Sequence, residues 1–153
     1  LLVVGRTVEP YFVTAINEYV QRGGGGGGGG GGVIPELKNT KSISEEVQKE
    51  KEGELILKSL QPGDVVVLLD EGGKEMRSIE FANYMEKKMN SVNKRLVFII
   101  GGPYGFSQKV YAAAHEKISL SRMTFSHQMV RLIFVEQLYR AMNILHGGPY
   151  HHE

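Results

Sequence analysis

The chain has no cysteine among its 153 residues, which excludes a disulfide framework and any thiolate metal site. An excess of one charge is missing too. Eighteen Lys plus Arg stand against 17 Asp plus Glu, for a formal net charge of +1. Proteins that grip nucleic acid by charge alone are dense in basic residues, so recognition of an RNA partner cannot rest mainly on phosphate attraction. No apolar run reaches the roughly 18 residues of a membrane span, and no signal peptide is visible. The expectation is a cytoplasmic protein with neither a membrane nor DNA as partner. The chain opens at Leu1, and a short N-terminal piece is expected to precede it.

A length of 153 residues suits one domain, positions 1–153, with a substantial core and little room for an appended module. Any ligand-binding surface then has to be built into that one domain. Positions 23–32 are ten consecutive glycines. Such a run buries nothing and carries maximal backbone entropy. As a linker it would cut off only a short stub. It is read as a placeholder for residues of unidentified side chain, so half of the 20 glycines, and the net charge, are provisional.

Apolar periodicity gives the order of elements. Residues 1–4 read as a strand and residues 11–22, after Pro10, as a helix with Phe12, Ile16, Tyr19 and Val20 on one side. A second strand leads into Val33 and Ile34. Ser42 with Glu45 makes a capping-box pattern for a helix whose Val47, Leu55 and Leu60 are expected to face inward, ended by Pro62 and Gly63. Residues 64–69 read as a buried strand. Ser78 is expected to cap a helix that buries Ile79, Ala82, Met85 and Met89, and residues 96–100 form a continuous apolar strand. A helix over 107–116 and a short strand over 118–120 follow. Ser126 caps the last helix, which runs to about Leu145 and ends at Gly147, Gly148 and Pro149. Strands and helices in alternation, with strands apolar throughout, indicate an α/β fold with a parallel sheet covered on both faces.

The last helix carries Met129, Val130, Leu132, Ile133, Phe134, Val135, Leu138, Met142, Ile144 and Leu145, apolar around nearly its whole circumference. One sheet face cannot cover such a helix, and packing on a second copy of the chain is expected.

Ligands of open α/β sheets bind beyond the carboxyl ends of the strands. Three such ends are marked here, at Leu69 and Asp70, at Gly101 and Gly102, and at Leu120 and Ser121. Leu69, Leu120, Met123 and Phe125 are suited to surround an adenine whose edge is read by loop amides and carbonyls. By itself the GGPYG segment at 101–105 signals only a tight turn. No Rossmann fingerprint lies in a credible βαβ unit, and there is no P-loop and no GxSxG.

The segments FIIGGPYGF at 98–106, SLSRMTFSHQMVRLIFVEQLYRAMNI at 119–144 and PYHHE at 149–153 resemble the ribosomal RNA large subunit methyltransferase H family of the SPOUT superfamily. LLVVGR at 1–6, KEKEGE at 49–54 and VVLLDEGGK at 66–74 extend that resemblance over all but the glycine run. The resemblance implies a parallel-sheet α/β fold with a C-terminal trefoil knot, an exception to the rule that chains do not thread loops. It also implies a homodimer that transfers methyl from S-adenosylmethionine to N3 of a pseudouridine in helix 69 of 23S rRNA within the assembled 70S ribosome. The implied donor contacts are Leu69, Gly101, Gly102, Pro103, Leu120, Ser121, Arg122, Met123, Thr124 and Phe125. A nearly neutral protein fits such a substrate, because a preformed ribosomal surface supplies shape and contacts. A loop base is also cheaper to unstack than one in a duplex.

An imide nitrogen attacks only once its proton has left, so the required chemistry is proton removal and alignment. His127, Arg131, Arg140, Tyr150, His151 and His152 are the candidates. His127 and Arg131 lie four apart on one helix face, and Arg131 is expected to contact phosphate or the partner subunit. Glu136 and Arg140, also four apart, read as an ordinary intrahelical ion pair. The resemblance implies that the tail from Tyr150 closes over the donor site with a basic residue after the Tyr-His pair. His152 stands in that position, and His151 is preferred as base or orienting group. A zinc site at His146, His151 and His152 is disfavoured, since adjacent histidines suit tetrahedral closure poorly. Two other readings stay open: a catalytically silent dimeric ribosome-binding or assembly factor of the same fold, and a tRNA methyltransferase of the same superfamily.

Overall fold

The computed structural model describes residues 1–4, 10–23, 32–34 and 44–152. Most of the glycine run, positions 24–31, and Ser42 lie outside the described residues. The elements run β1 (Leu2–Val4), α1 (Pro10–Gly23), β2 (Gly32–Ile34), α2 (Glu45–Ser59), β3 (Val65–Glu75), α3 (Ser78–Ser91), β4 (Leu96–Ile100), α4 (Gln108–Ala113), β5 (Glu116–Ser119) and α5 (His127–Leu145). The five strands form one sheet in the order β2-β1-β4-β3-β5, and every pairing is parallel.

Both faces of this sheet are buried, as the unbroken apolar strands require. Val67, Leu69, Phe98, Ile100 and Ile118 point to one face, where Phe81, Ala82 and Met85 of α3 and Phe134 and Ala141 of α5 cover them. Val66, Leu68, Val97 and Ile99 point to the other, against Ile56 of α2, Phe106 and Val110. The alternation along β3 and β4 is the period-2 pleat, with apolar residues on both sides. Phe134 is fully buried with its ring 5.0 Å from that of Phe98 and 6.2 Å from that of Phe81. Burial of a side chain that size stabilises by about 1.5–3 kcal/mol.

Several local expectations shift. The first cap of α2 among the described residues is Ser44, whose Oγ accepts from the Val47 amide at 3.2 Å. Val47 is exposed, and the inward stripe of α2 is Gln48, Glu52, Gly53 and Ile56. Leu55 and Leu60 pack on the core as expected, whereas Val47 does not, because a buried polar pair completes that face, Gln48 Nε2 donating to Glu52 Oε1 at 3.1 Å. In α3 the cap position belongs to Arg77 and not Ser78, while the Ser78 hydroxyl donates to Gln137 of α5 at 2.8 Å. Ile79 and Met89 are exposed, and Phe81 takes the inward position beside Ala82 and Met85. The helix expected over 107–116 is α4 alone, capped by Ser107 with Oγ 3.3 Å from the Val110 amide. The chain turns extended at Ala114, so β5 begins at Glu116, two residues before the expected strand.

The larger difference is β3, which continues six residues past Leu69. Its pairing with β5 shifts register between Leu69 and Lys74, so that Leu69 and Lys74 both pair with Ile118. The extra residues form a bulge that lets one strand bend while it remains paired. Gly73 sits directly against the partner, where a Cβ would lie 2.6 Å from backbone atoms of Ile118. On its other side β5 is tied to α3, where Glu116 accepts hydrogen bonds from Tyr84 and from Lys88. Burial alone would raise the Glu116 pKa, but the Lys88 and Tyr84 hydrogen bonds outweigh it and hold the carboxyl below its ordinary range. At the opposite strand ends Asp64 is held low by hydrogen bonds from Arg95, at 3.0 and 2.7 Å.

Two outcomes follow for stability. Gly73→Ala forces a methyl into the Ile118 backbone and costs about 1–3 kcal/mol in urea unfolding, the range for overpacking. Asp64 and Glu116 have folded pKa values below their ordinary 3.8 and 4.5. Depressed carboxylates contribute stability above their unfolded pKa and lose it as pH falls through the folded value. Urea midpoints therefore drop below about pH 4, and the pair Asp64→Asn and Glu116→Gln is less stable at neutral pH and flatter across that window.

Candidate active site

Leu69, Asp70, Glu71, Ser119, Leu120, Ser121, Met123, Phe125 and Val130 line a slot where the paired stretch of β3 and the end of β5 meet the start of α5. Its floor is apolar and its cavity small, about 70 Å³. Sites that bury a small molecule usually measure about 300–1,000 Å³, so the slot is smaller than a pocket that encloses such a ligand. A neighbouring cavity of about 210 Å³ shares Ser119 and Leu120 and extends toward Phe81 and Ile133.

The walls are braced by local hydrogen bonds. Ser119 Oγ donates to the Ser121 carbonyl at 2.9 Å, and Ser121 Oγ accepts from the Met123 amide at 2.9 Å. Asp70 Oδ2 accepts from the Gly72 amide at 3.0 Å, and Oδ1 accepts from the Tyr111 hydroxyl at 2.6 Å. Burial, and then the bond to Asp70 and its charge, push the Tyr111 phenol up to about 12. This Asp70–Tyr111 contact spans 41 positions of sequence, and no local pattern signals it.

Gly101 follows Ile100, the register partner of Leu69, so the turn after β4 stands beside the slot. Gly105 has φ of 80° and its amide donates to the Gly102 carbonyl at 3.2 Å. That is the tight turn the glycine pattern suggested, with a conformation L side chains rarely adopt. A Cβ on Gly101 would lie 3.1 Å from the buried Phe106 ring, a tight contact that glycine avoids. Of the ten residues implied as donor contacts, Leu69, Leu120, Ser121, Met123 and Phe125 line the slot together. Gly101, Gly102 and Pro103 stand next to it, and Arg122 and Thr124 project from its outer loop. Arg122 pairs with Glu75 at 2.9 Å.

The candidate catalytic residues fall into two places. His127 opens α5 after Ser126, whose Oγ accepts from the Met129 amide at 3.2 Å. Arg131, one turn on, is 2% exposed, so its side chain lies in the protomer interior and not on an open phosphate-binding surface. Val130 between them lines the slot. Tyr150 and His151 instead fold back on the far half of α5. The Tyr150 amide donates to Asn143 Oδ1 at 2.9 Å, its hydroxyl to Glu136 Oε1 at 3.2 Å, and its ring lies 4.7 Å from that of Tyr139. His151 Nδ1 is 3.1 Å from Arg140 Nη1. From Val130 to Arg140 is ten helical residues, roughly 15 Å, so the chain does not bring its own tail to its own slot.

The Glu136–Arg140 pair is thereby more than an ordinary helix-surface contact. Arg140 donates Nε and Nη2 to Glu136 Oε1 at 3.1 and 2.7 Å, stacks on Tyr150 at 4.7 Å and reaches His151. A hydrogen bond with Tyr19, then burial and the charge of Glu136, push the Tyr150 phenol up to about 12. The spacing of 136 and 140 was legible in sequence, whereas its use as a tail anchor depended on the return of the chain at Gly147, with φ of 72°.

A family profile described as predicted SPOUT methyltransferase matches residues 1–151. The chain belongs to the SPOUT methyltransferase family. It is 74% identical to the ribosomal RNA large subunit methyltransferase H of Bacteroides thetaiotaomicron over 153 residues, all of this chain and 98% of that protein. The protein of the same name from Bacteroides fragilis is 75% identical over the same share of both chains. The one from Flavobacterium johnsoniae is 52% identical, again across 153 residues and 98% of its length.

Glu136→Ala removes the acceptor shared by Arg140 and Tyr150. Amide hydrogen exchange at Tyr150 and His151 is expected to rise by at least about tenfold, the loss of roughly one strong hydrogen bond, while exchange in β3 and β4 stays unchanged.

Proposed function

We propose that this protein is an S-adenosylmethionine-dependent methyltransferase that methylates N3 of a pseudouridine in helix 69 of 23S rRNA, on assembled 70S ribosomes in the cytoplasm. The observation that carries the reading is the slot between the bulge of β3 and the end of β5, apolar at its floor, in a chain of the SPOUT methyltransferase family. The names of its relatives, ribosomal RNA large subunit methyltransferase H, support the rRNA as acceptor. The residues fit the donor. Leu69, Leu120, Met123 and Phe125 offer apolar area to an adenine, the turn at Gly101, Gly102 and Pro103 offers open backbone, and Ser121, Arg122 and Thr124 complete the loop.

S-adenosylmethionine supplies an electrophilic methyl on a positive sulfur. What remains for the protein is to bind and align the two reactants and to take the N3 proton. Transfer forms an N3–methyl bond with the nitrogen's electron pair, leaves the carbon–sulfur pair on sulfur and sends the imide proton to a base. His127 is assigned to the slot end of α5, and Tyr150 and His151 to reception of the base, with His151 as proton acceptor or orienting group; Arg131, interior to the chain, is given no part in the step.

The homodimer belongs to this reading for two physical reasons. Only Arg131, Phe134, Val135 and Ala141 of α5 are buried, although apolar residues surround the helix and α1 and α3 pack against it. Tyr150 and His151 also lie roughly 15 Å along α5 from the slot of their own chain, so a second copy is assigned to supply the tail. We further assign residues 1–153 to one domain with a C-terminal trefoil knot, and positions 23–32 to residues of unidentified side chain. The knot is supported by the return of α5 across β4 to lie between α3 and α1 after β5 has joined β3.

Transfer of labelled methyl from S-adenosylmethionine to 70S ribosomes, separated subunits and naked 23S rRNA, all from cells lacking this gene, tests the assignment. Label in 23S rRNA from 70S ribosomes alone is the expected result, lost on His151→Ala if His151 acts in the step. Label on naked rRNA would overturn the ribosome requirement. Absence of both label and donor binding would leave the silent ribosome-binding factor.

A further inference from the structure

The slot carries an unbalanced charge. Among the described residues its lining holds two carboxylates, Asp70 and Glu71, and no lysine, arginine or histidine. Arg122, on the adjoining loop, is directed at Glu75 with its side chain 90% exposed. Lys117 lies over the Tyr111 ring, 5.6 Å from its centre, and not on Asp70. Asp70 is half-buried and held at both oxygens by neutral donors, the Tyr111 hydroxyl and the Gly72 amide. A carboxylate offers about four lone-pair positions, so this one is oriented by the protein and still has capacity for a ligand. Tyr111 remains a proton donor across the physiological range, since its phenol is pushed up to about 12.

The reaction assigned above converts a sulfonium into a neutral thioether. S-adenosylmethionine and S-adenosylhomocysteine share the adenosyl and amino-acid parts, so apolar and backbone contacts bind both alike. An anionic wall does not, because it attracts the positive sulfur and gains nothing from the neutral one. Resting on the donor assignment of the preceding subsection, we propose that Asp70, oriented by Tyr111 and assisted by Glu71, is the group by which this site distinguishes the cationic donor from its neutral product. Asp70 touches the ligand. Tyr111 is a positioning residue that fixes the direction of the carboxylate. Such discrimination favours loading of fresh donor and release of spent product between turnovers.

Calorimetric titration of the full chain with S-adenosylmethionine and, separately, S-adenosylhomocysteine tests this, using Asp70→Asn, Asp70→Asn with Glu71→Gln, and Tyr111→Phe. The unsubstituted protein should bind the donor more tightly than the product. Asp70→Asn should weaken donor binding about tenfold, the scale of one part-buried charge contact, and leave product binding nearly unchanged. The double variant should narrow the preference further, and Tyr111→Phe should shift it in the same direction by less. Equal losses for both ligands would make Asp70 a structural brace only and overturn the proposal, as would an unchanged ratio. Should Asp70→Asn fail to fold, a salt titration of the unsubstituted protein decides. Added salt narrows a preference that comes from charge, and a flat ratio overturns the proposal. Binding of neither ligand by the unsubstituted protein overturns the donor assignment itself, and this inference with it.

Discussion

Strand β3 has to pair on both sides at once, with β4 through Leu69 and with β5 through a register that shifts between Leu69 and Lys74. That double duty sets the position of everything at the carboxyl end of the sheet. Because Gly73 has no Cβ, β3 can press its backbone against Ile118 and go on past the bulge. The bulge leaves Asp70 and Glu71 out of the regular ladder, at the wall of the slot. A β3 that ended at Leu69 would place neither carboxylate there, and β5 would lose its pairing with Lys74 and Glu75.

The second dependence runs through α5. Its Phe134 enters the core between Phe81 and Phe98, while Val130 reaches the slot and Glu136, Tyr139, Arg140 and Asn143 hold the returning tail. One helix thus connects core, candidate donor site and tail as a rigid element, and its length separates the last two. The separation keeps the tail of this chain away from its own slot. The charge of the slot adds a different constraint. Near-neutrality of the whole chain does not extend to this wall, where acidic groups are concentrated around a carboxylate locked by Tyr111 and Gly72.

Much of the architecture was legible in the residues themselves. Continuous apolar strands at 65–69 and 96–100 implied a parallel sheet buried on both faces, and Ser107, Ser126 and Gly147 marked helix ends correctly because caps are local chemistry. The exposure of Val47 in α2 and of Ile79 and Met89 in α3 has one cause. Periodicity reports which residues are apolar, whereas burial depends on which face a neighbour covers, and in α2 that face includes the hydrogen-bonded Gln48 and Glu52.

The sequence by itself determined the α/β fold class, the apolar strands of the sheet, the helix caps and the glycine turn after β4. These are properties of short segments, set by side-chain polarity, backbone freedom and spacing. Only the tertiary structure decided that Asp70 faces Tyr111, that β3 re-registers on β5, that Arg131 is interior and that Tyr150 and His151 rest on Glu136 and Arg140 and not on the slot. Each of these joins residues separated by many positions, or depends on which side of an element is covered. Contacts of that kind are fixed by the packing of whole elements, which no local pattern encodes.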